Sequence, residues 1–171
     1  MSNNVILCFH SWFVGLTDGE GYFLITKAKS NRSSSGFLYI PQFGIGLRKD
    51  DTKVLLLLKE KLGIGTFSIA NRQKKDIHMP MCRFIVSGVN SCKKLIDIFD
   101  KFPLQTKKRR DYVVWRAFIT YKLEYGNKMP MSMNEYFYHR IREVRKYNKV
   151  LADSYEIDLR SKSPILKGDK K

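Results

Sequence analysis

Short segments in which apolar and polar residues alternate occur in two pairs along the chain, and this period-2 spacing is typical of β-strands. The first pair flanks the turn-rich NRSSSG, which predicts a hairpin with a polar connection at residues 30 to 36. On one face the alternation places Phe23, Ile25, Phe43, Ile45 and Leu47, and on the other Leu24, Thr26, Gln42, Gly44 and Gly46. We expect the first face to pack on a core and the second to be open to a partner. The second pair, TFSIANR and MCRFIVS, is joined by the charged QKKDIHMP.

Apolar residues at helical spacing fill the segments around these strands. The predicted helices are an opening one that ends in FVGLTDGEG, then TKVLLLLKEKL, SCKKLIDIFDKF, and a segment from about Lys107 to Lys122. The order is helix, hairpin, helix, hairpin, helix, helix. It predicts an α+β domain in which the two antiparallel hairpins form one sheet with helices on one side.

The remaining segment has a different composition. GNKMPMSMN is typical of a linker, NEYFYHRIREVRKYNKVLADSY of a basic helix, and SKSPILKGDKK of a frayed tail. We therefore divide the chain into a core at 1–125 and a basic C-terminal helical extension with its tail at 126–171. No internal sequence repeat is present.

The charge balance indicates a polyanionic partner. The 171 residues include 32 Lys and Arg against 16 Asp and Glu, for a net charge of +16. The basic residues are spread through the chain instead of lying on one amphipathic helix, which favours nucleic acid over a membrane surface. The three cysteines form no CxxC pair, so we expect reduced thiols in an intracellular protein. No apolar run is long enough to span a membrane.

The stretch FVGLTDGEG, residues 13 to 21, combines a mid-helix glycine with two carboxylates. Gly15 costs about 1 kcal/mol relative to alanine, a cost that close packing of a partner helix against Trp12, Val14 and Gly15 would offset. Asp18 and Glu20 fall at a helix carboxyl end, where negative charge is unfavourable unless a cation binds. Hard oxygen ligands suit Mg²⁺. The alternative is an ordinary acidic turn before a strand.

This stretch resembles the signature of the LAGLIDADG homing endonucleases, with Gly15, Leu16, Asp18, Glu20 and Gly21 in register. The resemblance extends over residues 9 to 120 through GYF, PQFGIGLRKDD, LGIGTF, CRFIVS and FDKFPLQTKKRRDYVVW, in the family's order. It implies an αββαββα core whose sheet forms a saddle in the DNA major groove. Because the chain shows one motif, it resembles the family's homodimeric, intron-encoded enzymes, which cleave long pseudo-palindromic sites with Mg²⁺, for which Mn²⁺ is expected to substitute.

The resemblance also implies residue roles. Glu20 is the expected catalytic metal ligand, the Gly19 carbonyl a backbone ligand, and Asp18 a hydrogen-bonding group near the helix end. Lys107 matches the family's active-site lysine, with Lys108 as the near alternative. Where relatives carry a polar residue at the end of the second strand this chain has Leu47, so that role is lost or passes to Arg48.

DNA contacts are expected from the sheet face away from the helices, from the hairpin connections and from the start of the last core helix. Gln suits adenine and Arg suits guanine in the major groove, whereas other basic residues suit phosphates. The predicted set is Thr26, Lys29, Ser30, Arg32, Gln42, Arg48, Ser68, Arg72, Lys74, Lys75, Arg83, Lys108, Arg109 and Arg110.

Two other functions fit the same scaffold. One is an RNA maturase that assists splicing of its host intron RNA, and the other is a catalytically silent transcription regulator. The carboxylate of Glu20 favours cleavage over both, because binding alone does not need it. The sequence leaves open whether the compartment is a mitochondrion, a chloroplast or a prokaryotic cytoplasm.

Overall fold

The computed structural model describes residues 3–31, 35–70 and 80–145, and these form one α+β unit. Its elements in chain order are α1 Asn3–Glu20, β1 Gly21–Lys29, β2 Phe37–Arg48, α2 Thr52–Leu62, β3 Thr66–Ala70, β4 Met81–Ser87, α3 Val89–Lys101, α4 Lys108–Tyr125 and α5 Met131–Arg145. The predicted order of helices and hairpins is confirmed. The main difference is α5, which begins inside the segment predicted as a linker.

The four strands form one antiparallel sheet in the order β1-β2-β4-β3, which keeps both predicted hairpins and joins them through β2 and β4. β1 pairs with β2 from Gly21 opposite Ile45 to Lys29 opposite Phe37. β2 pairs with β4 from Gln42 opposite Ser87 to Arg48 opposite Met81. The end of β1 and the start of β2 therefore lie at one end of the sheet, and the end of β3 and the start of β4 lie at the other.

One face of the sheet packs on the helices, and it is the face that alternation predicted. Phe23, Phe43 and Ile45 have no more than traces of exposed surface, and Phe84 of β4 is equally buried. The rings of Phe23 and Phe43 meet those of Phe13, Phe99 and Trp115 of the helices, with ring centroids 5.1 to 5.8 Å apart. Burying a large apolar side chain stabilises the fold by about 1.5–3 kcal/mol, so this aromatic core fixes the position of the sheet under the helices.

The opposite face, called the outer face below, carries Tyr22, Leu24, Thr26, Ala28, Leu38, Ile40, Gln42, Gly44, Gly46, Arg48, Thr66, Ser68, Met81, Arg83, Ile85 and Ser87. Of these residues only Gly44 is buried. A Cβ at Gly44 would lie 2.3 Å from the ring of Tyr22 on the neighbouring strand. Glycine is needed here because the Tyr22 ring lies over this position.

α5 packs on the same core as the rest of the described chain. Met129, just before it, and Phe137 and Ile141 within it are buried with the aromatic cluster. Glu135 accepts a hydrogen bond from Lys27 Nζ at 2.5 Å and another from the Tyr39 hydroxyl, which ties α5 to β1 and β2. Gly126 ends α4, and the division of the chain at residue 125 stays a prediction.

Candidate functional site

The acidic motif, residues 18 to 21, lies where α1 ends and β1 begins. Gly19 and Glu20 are exposed, and Gly21 is buried as the first residue of the strand. A Cβ at Gly21 would lie 2.6 Å from Thr17 Cγ2 and 2.8 Å from the Thr17 carbonyl oxygen. Only glycine lets the chain turn from helix to strand this tightly, and the turn presents Glu20 to solvent beside the sheet.

Asp18 binds the chain that leads into α4. Its Oδ2 accepts from the Gln105 amide at 2.9 Å, and its Oδ1 accepts from the Thr106 amide at 3.1 Å and the Thr106 hydroxyl at 2.8 Å. Hydrogen bonds to an ionised carboxylate are among the stronger ones. This carboxylate therefore fixes the start of α4 against the end of α1.

As a result, Lys108 reaches the motif. Its Nζ donates to the Gly19 carbonyl oxygen at 2.6 Å. Burial lowers the pKa of Lys108, while the carboxylates of Glu20, Asp18 and Asp111 partly oppose that shift. Lys107, which was expected to take the active-site position, is the exposed residue before the first turn of α4. The structure places the alternative, Lys108, at the motif.

The donor groups at this turn fit a divalent cation in part. The Gly19 carbonyl oxygen accepts a hydrogen bond from the Lys108 ammonium, so this oxygen points to where a positively charged group can reach it. The exposed carboxylate of Glu20 follows it in the chain. Within the described residues, no three His, Cys, Asp or Glu side chains form a group able to hold a metal ion. Mg²⁺ takes an octahedral set of oxygens. The motif thus supplies a fraction of such a set, and the rest must come from outside it.

The predicted dimer face is partly available. Gly15 is exposed, and a Cβ built on it meets no described atom within 4 Å, so this part of α1 faces away from residues 35–70 and 80–145 of its own chain. Trp12 is 41% exposed on the same helix. Val14 was also expected to meet the partner; it is only 6% exposed because its side chain packs in the core, and its contact with a partner stays a prediction.

Several predicted base-contacting residues share the outer face. Arg83 of β4 lies between Gly46 and Ser68 on the neighbouring strands, and both of those residues are small. Gln42 donates from Nε2 to Ser87 Oγ at 3.4 Å. Ser87 was not predicted, although the alternation that places Arg83 on this face places Ser87 there too.

The residues at the first hairpin are less uniform. The Thr26 hydroxyl donates to the Ile40 carbonyl at 3.2 Å. Lys29 is exposed at the end of β1, and by alternation it lies on the side of Ile25, opposite Thr26. The Ser30 amide donates to the Gly36 carbonyl at 2.9 Å and closes the connection. Arg32, Arg72, Lys74 and Lys75 lie outside the described residues.

The end of β2 carries Leu47 at the position where relatives are expected to have a polar residue. Leu47 is partly buried against the core, on the same face as Ile45. Arg48, the next residue, is on the outer face and pairs with Asp50 at 2.9 Å, with both side chains more than half exposed. Exposed pairs of this kind contribute about 0–1 kcal/mol, so Arg48 can exchange this partner for a phosphate at little cost.

A basic cluster occupies the start of α4. Lys107, Lys108, Arg109 and Arg110 are consecutive, and the two arginines are exposed. Cations at the positive end of a helix dipole are unfavourable. The Asp18 carboxylate offsets part of this charge, and an anion such as phosphate would offset the rest. The cluster lies on the helix that brings Lys108 to Gly19.

No helix in the described part of the chain is both long enough and apolar enough to cross a membrane.

Known proteins resemble this chain in sequence and in fold. A family model described as LAGLIDADG endonuclease matches residues 13–119. A probable intron-encoded endonuclease, Cox1-I1b of Schizosaccharomyces pombe, is 31% identical over 152 residues, which cover 88% of this chain and 36% of that protein. The chain thus spans about a third of the length of this relative.

Solved structures share the fold. The archaeal intron-encoded homing endonuclease I-Vdi141I, complexed with DNA, superposes with a TM-score of 0.65 at 19% identity over 86% of this chain and 93% of that one. The meganuclease I-SmaMI, bound to uncleaveable DNA, superposes with a TM-score of 0.63 at 25% identity over 80% of this chain and 43% of that one. The family model covers most of the chain, and it includes both the acidic turn of α1 and the lysines of α4. The chain belongs to the LAGLIDADG endonuclease family.

Proposed function

We propose that this protein is a site-specific homing endonuclease that hydrolyses both strands of a long, pseudo-palindromic DNA site. The observation that carries the proposal is the junction of α1 with α4. There the exposed carboxylate of Glu20 lies next to the Gly19 carbonyl, and the Lys108 ammonium is 2.6 Å from that carbonyl oxygen. Family membership and the net charge of +16 support it.

Glu20 and the Gly19 carbonyl are the residues that would hold Mg²⁺, with Mn²⁺ as a substitute. A bound divalent cation supplies charge stabilisation at the phosphate and a more acidic water. Lys108 is placed to stabilise the negative charge that develops on the phosphate oxygens. Arg109 and Arg110 position the DNA by binding neighbouring phosphates, as exposed cations at a helix start do.

The outer face of the sheet is the surface that reads the bases. A strand of nine residues such as β1 spans roughly 30 Å at about 3.3 Å per residue. At about 3.4 Å per step along one DNA strand, this length matches about nine base pairs. Gln42, Ser68 and Arg83 lie on this face and supply donors and acceptors for the major groove.

Cleavage of both strands requires a second acidic turn beside the first, and we propose that a second copy of this chain supplies it. The exposed Gly15 and Trp12 of α1 are the contact surface. The sequence contains one acidic motif and no internal repeat, which supports a pairing of two copies. A twofold interface of this kind places both Glu20 residues near one axis.

The test replaces Glu20 with glutamine, which keeps the size of the side chain and removes its charge. Glu20→Gln is expected to lose Mg²⁺-dependent cleavage, measured as single-turnover strand scission of a duplex selected by the protein. Specific binding, measured by gel shift, is expected to remain or improve slightly, because a negative charge near phosphate is removed. Glu60→Gln, on the exposed side of α2, is the control and should cleave at the wild-type rate.

Each other outcome has a definite meaning. If Glu20→Gln cleaves as fast as the wild type, the acidic turn is not the active site. If the wild type binds duplex DNA specifically but never cuts it in Mg²⁺ or Mn²⁺, the function is better explained as that of a catalytically silent regulator. If the wild type binds its intron RNA and does not bind duplex DNA, the function is better explained as that of an RNA maturase.

A further inference from the structure

The outer face of the β1–β2 hairpin carries no charged side chain from Tyr22 to Ala28 or from Leu38 to Gly46. Leu38 is 43% exposed, Ala28 is exposed, and Leu24 and Ile40 are half-buried. These four residues are called the apolar strip below. In a chain with a net charge of +16, phosphate binding alone does not account for an uncharged surface at this place.

The strand register makes the strip continuous. Ala28 lies opposite Leu38, Thr26 opposite Ile40, and Leu24 opposite Gln42. Side chains directly opposite each other on one face of a sheet are in contact distance, and diagonal neighbours are within reach of long side chains. Thr26 lies inside the strip, and its hydroxyl proton is already given to the Ile40 carbonyl at 3.2 Å. The strip therefore presents mainly methyl and methylene groups.

A DNA major groove offers one apolar group, the 5-methyl group of thymine, and side chains recognise it by apolar contact. Gln42 borders the strip and suits the adenine edge. A second copy of the chain is proposed to pair through Trp12 and Gly15 of α1, which are not part of this face, so that copy does not cover the strip. Duplex DNA matches both this apolar surface and the net positive charge of the chain.

We propose that the apolar strip reads thymine methyl groups, so that each half of the DNA site is rich in A·T pairs where it faces the β1–β2 hairpin. This inference rests on the proposed function. The strip covers five residues of β1, from Leu24 to Ala28, or roughly 16 Å at about 3.3 Å per residue. That length corresponds to about four or five base pairs. Arg83, across the sheet on β4, suits a guanine outside this block.

The experiment removes the methyl groups without changing base pairing. A duplex is first recovered from a random-sequence pool by its binding to the full chain in EDTA, which prevents cleavage. Each thymine in the preferred duplex is then replaced by deoxyuridine. Burial of one methyl-sized group changes a binding constant about fourfold. We expect losses of about that size at a run of neighbouring thymines in each half-site, and smaller losses elsewhere.

A variant assigns the loss to the strip. Leu38→Ala should bind the thymine duplex more weakly and should no longer distinguish thymine from uracil at one or more of these positions. Leu56→Ala is the matched control, because Leu56 is 45% exposed, close to the 43% of Leu38, but lies on α2. It should keep the full thymine preference.

The outcomes separate this inference from the proposed function. If the chain selects a duplex and deoxyuridine has no effect at any position, or if the preferred half-site is G·C-rich opposite the hairpin, the inference is overturned and the proposed function stands. The inference also fails if Leu38→Ala and Ile40→Ala both keep the wild-type preference for thymine over uracil. If no duplex is preferred over the random pool, the proposed function itself fails.

Discussion

Asp18 decides which of two neighbouring lysines reaches the acidic turn. By binding the amides of Gln105 and Thr106, it fixes the start of α4 so that Lys108 contacts the Gly19 carbonyl. Successive residues of an α-helix point about 100° apart, since a turn takes about 3.6 residues. The sequence shows two adjacent lysines after PLQT, and both fit the spacing of the resemblance. Only the tertiary contact of Asp18 distinguishes them.

The two lysines form a matched pair for mutation. Lys108→Met is expected to slow single-turnover cleavage by about 100-fold or more, the size of effect seen when one group that stabilises developing negative charge is removed. Lys107→Met should leave the rate within about tenfold, because its exposed ammonium contributes to phosphate binding more than to the transition state. Measured at saturating protein, the two rates separate chemistry from binding. The opposite order would return the active-site role to Lys107.

Among the elements, the hairpins were the easiest to predict and α5 the hardest. Alternation and turn residues are local signals, so the faces of β1 and β2 follow directly from the sequence. α5 is held by contacts between distant residues, such as Lys27 with Glu135, which are 108 positions apart. No local pattern marks that pair. The same holds for Val14: the sequence shows that it is an apolar residue in the first helix, but not that the core of its own chain buries it.

The packing of α5 on α4 creates a pH-sensitive carboxyl group. Asp111 of α4 is mostly buried, and Arg145 of α5 is 3.5 Å from its Oδ2. Burial raises the pKa of Asp111 to about 6, although Arg145, Lys108 and Lys107 oppose the shift. Because the folded state holds this proton more tightly than the unfolded state does, the stability that Asp111 contributes is lost as the pH rises from about 4 to about 6.

Asp111→Asn cannot titrate and should not show this loss. Between pH 4.5 and pH 7, the free energy of unfolding of the variant should rise relative to that of the wild type by on the order of 2 kcal/mol. Urea unfolding at both pH values measures the difference. Asp97→Asn, at an exposed position of α3, is the control and should follow the wild type. A difference that does not change with pH would show that Asp111 is not the responsible group.

At the scale of the whole molecule, Gly15 is expected to affect folding of the single chain and pairing of two copies in opposite directions. It lies in α1 with open space around its Cβ direction, so the described part of its own chain gives no steric reason for glycine. Glycine lowers helix stability by about 1 kcal/mol relative to alanine or similar helix formers. If two copies pair through α1, as we propose, close approach of the second helix explains why this position carries no side chain.

Gly15→Leu is therefore expected to have opposite effects on the two processes. The thermal midpoint of the dilute monomer should stay the same or rise, because leucine favours the helix. Self-association on DNA, measured by sedimentation velocity, should weaken, and cleavage of both strands should be lost. Thr120→Leu, on the exposed side of α4, should change neither association nor cleavage. A wild-type protein that remains a single copy on its DNA site would contradict pairing through α1.

β1 and β2 are joined at one end of the sheet, and β3 and β4 are joined at the other. In the proposed complex, the DNA contacts made by these two ends can therefore be changed separately. From Leu38 to Arg48, β2 runs about 33 Å at about 3.3 Å per residue, so side chains near one connection do not touch those near the other. Free-energy changes at sites more than about 10 Å apart usually add. A laboratory could therefore retarget the two ends of a half-site in separate libraries, then join the winning β1–β2 and β3–β4 segments in one gene with little loss of selectivity at either end.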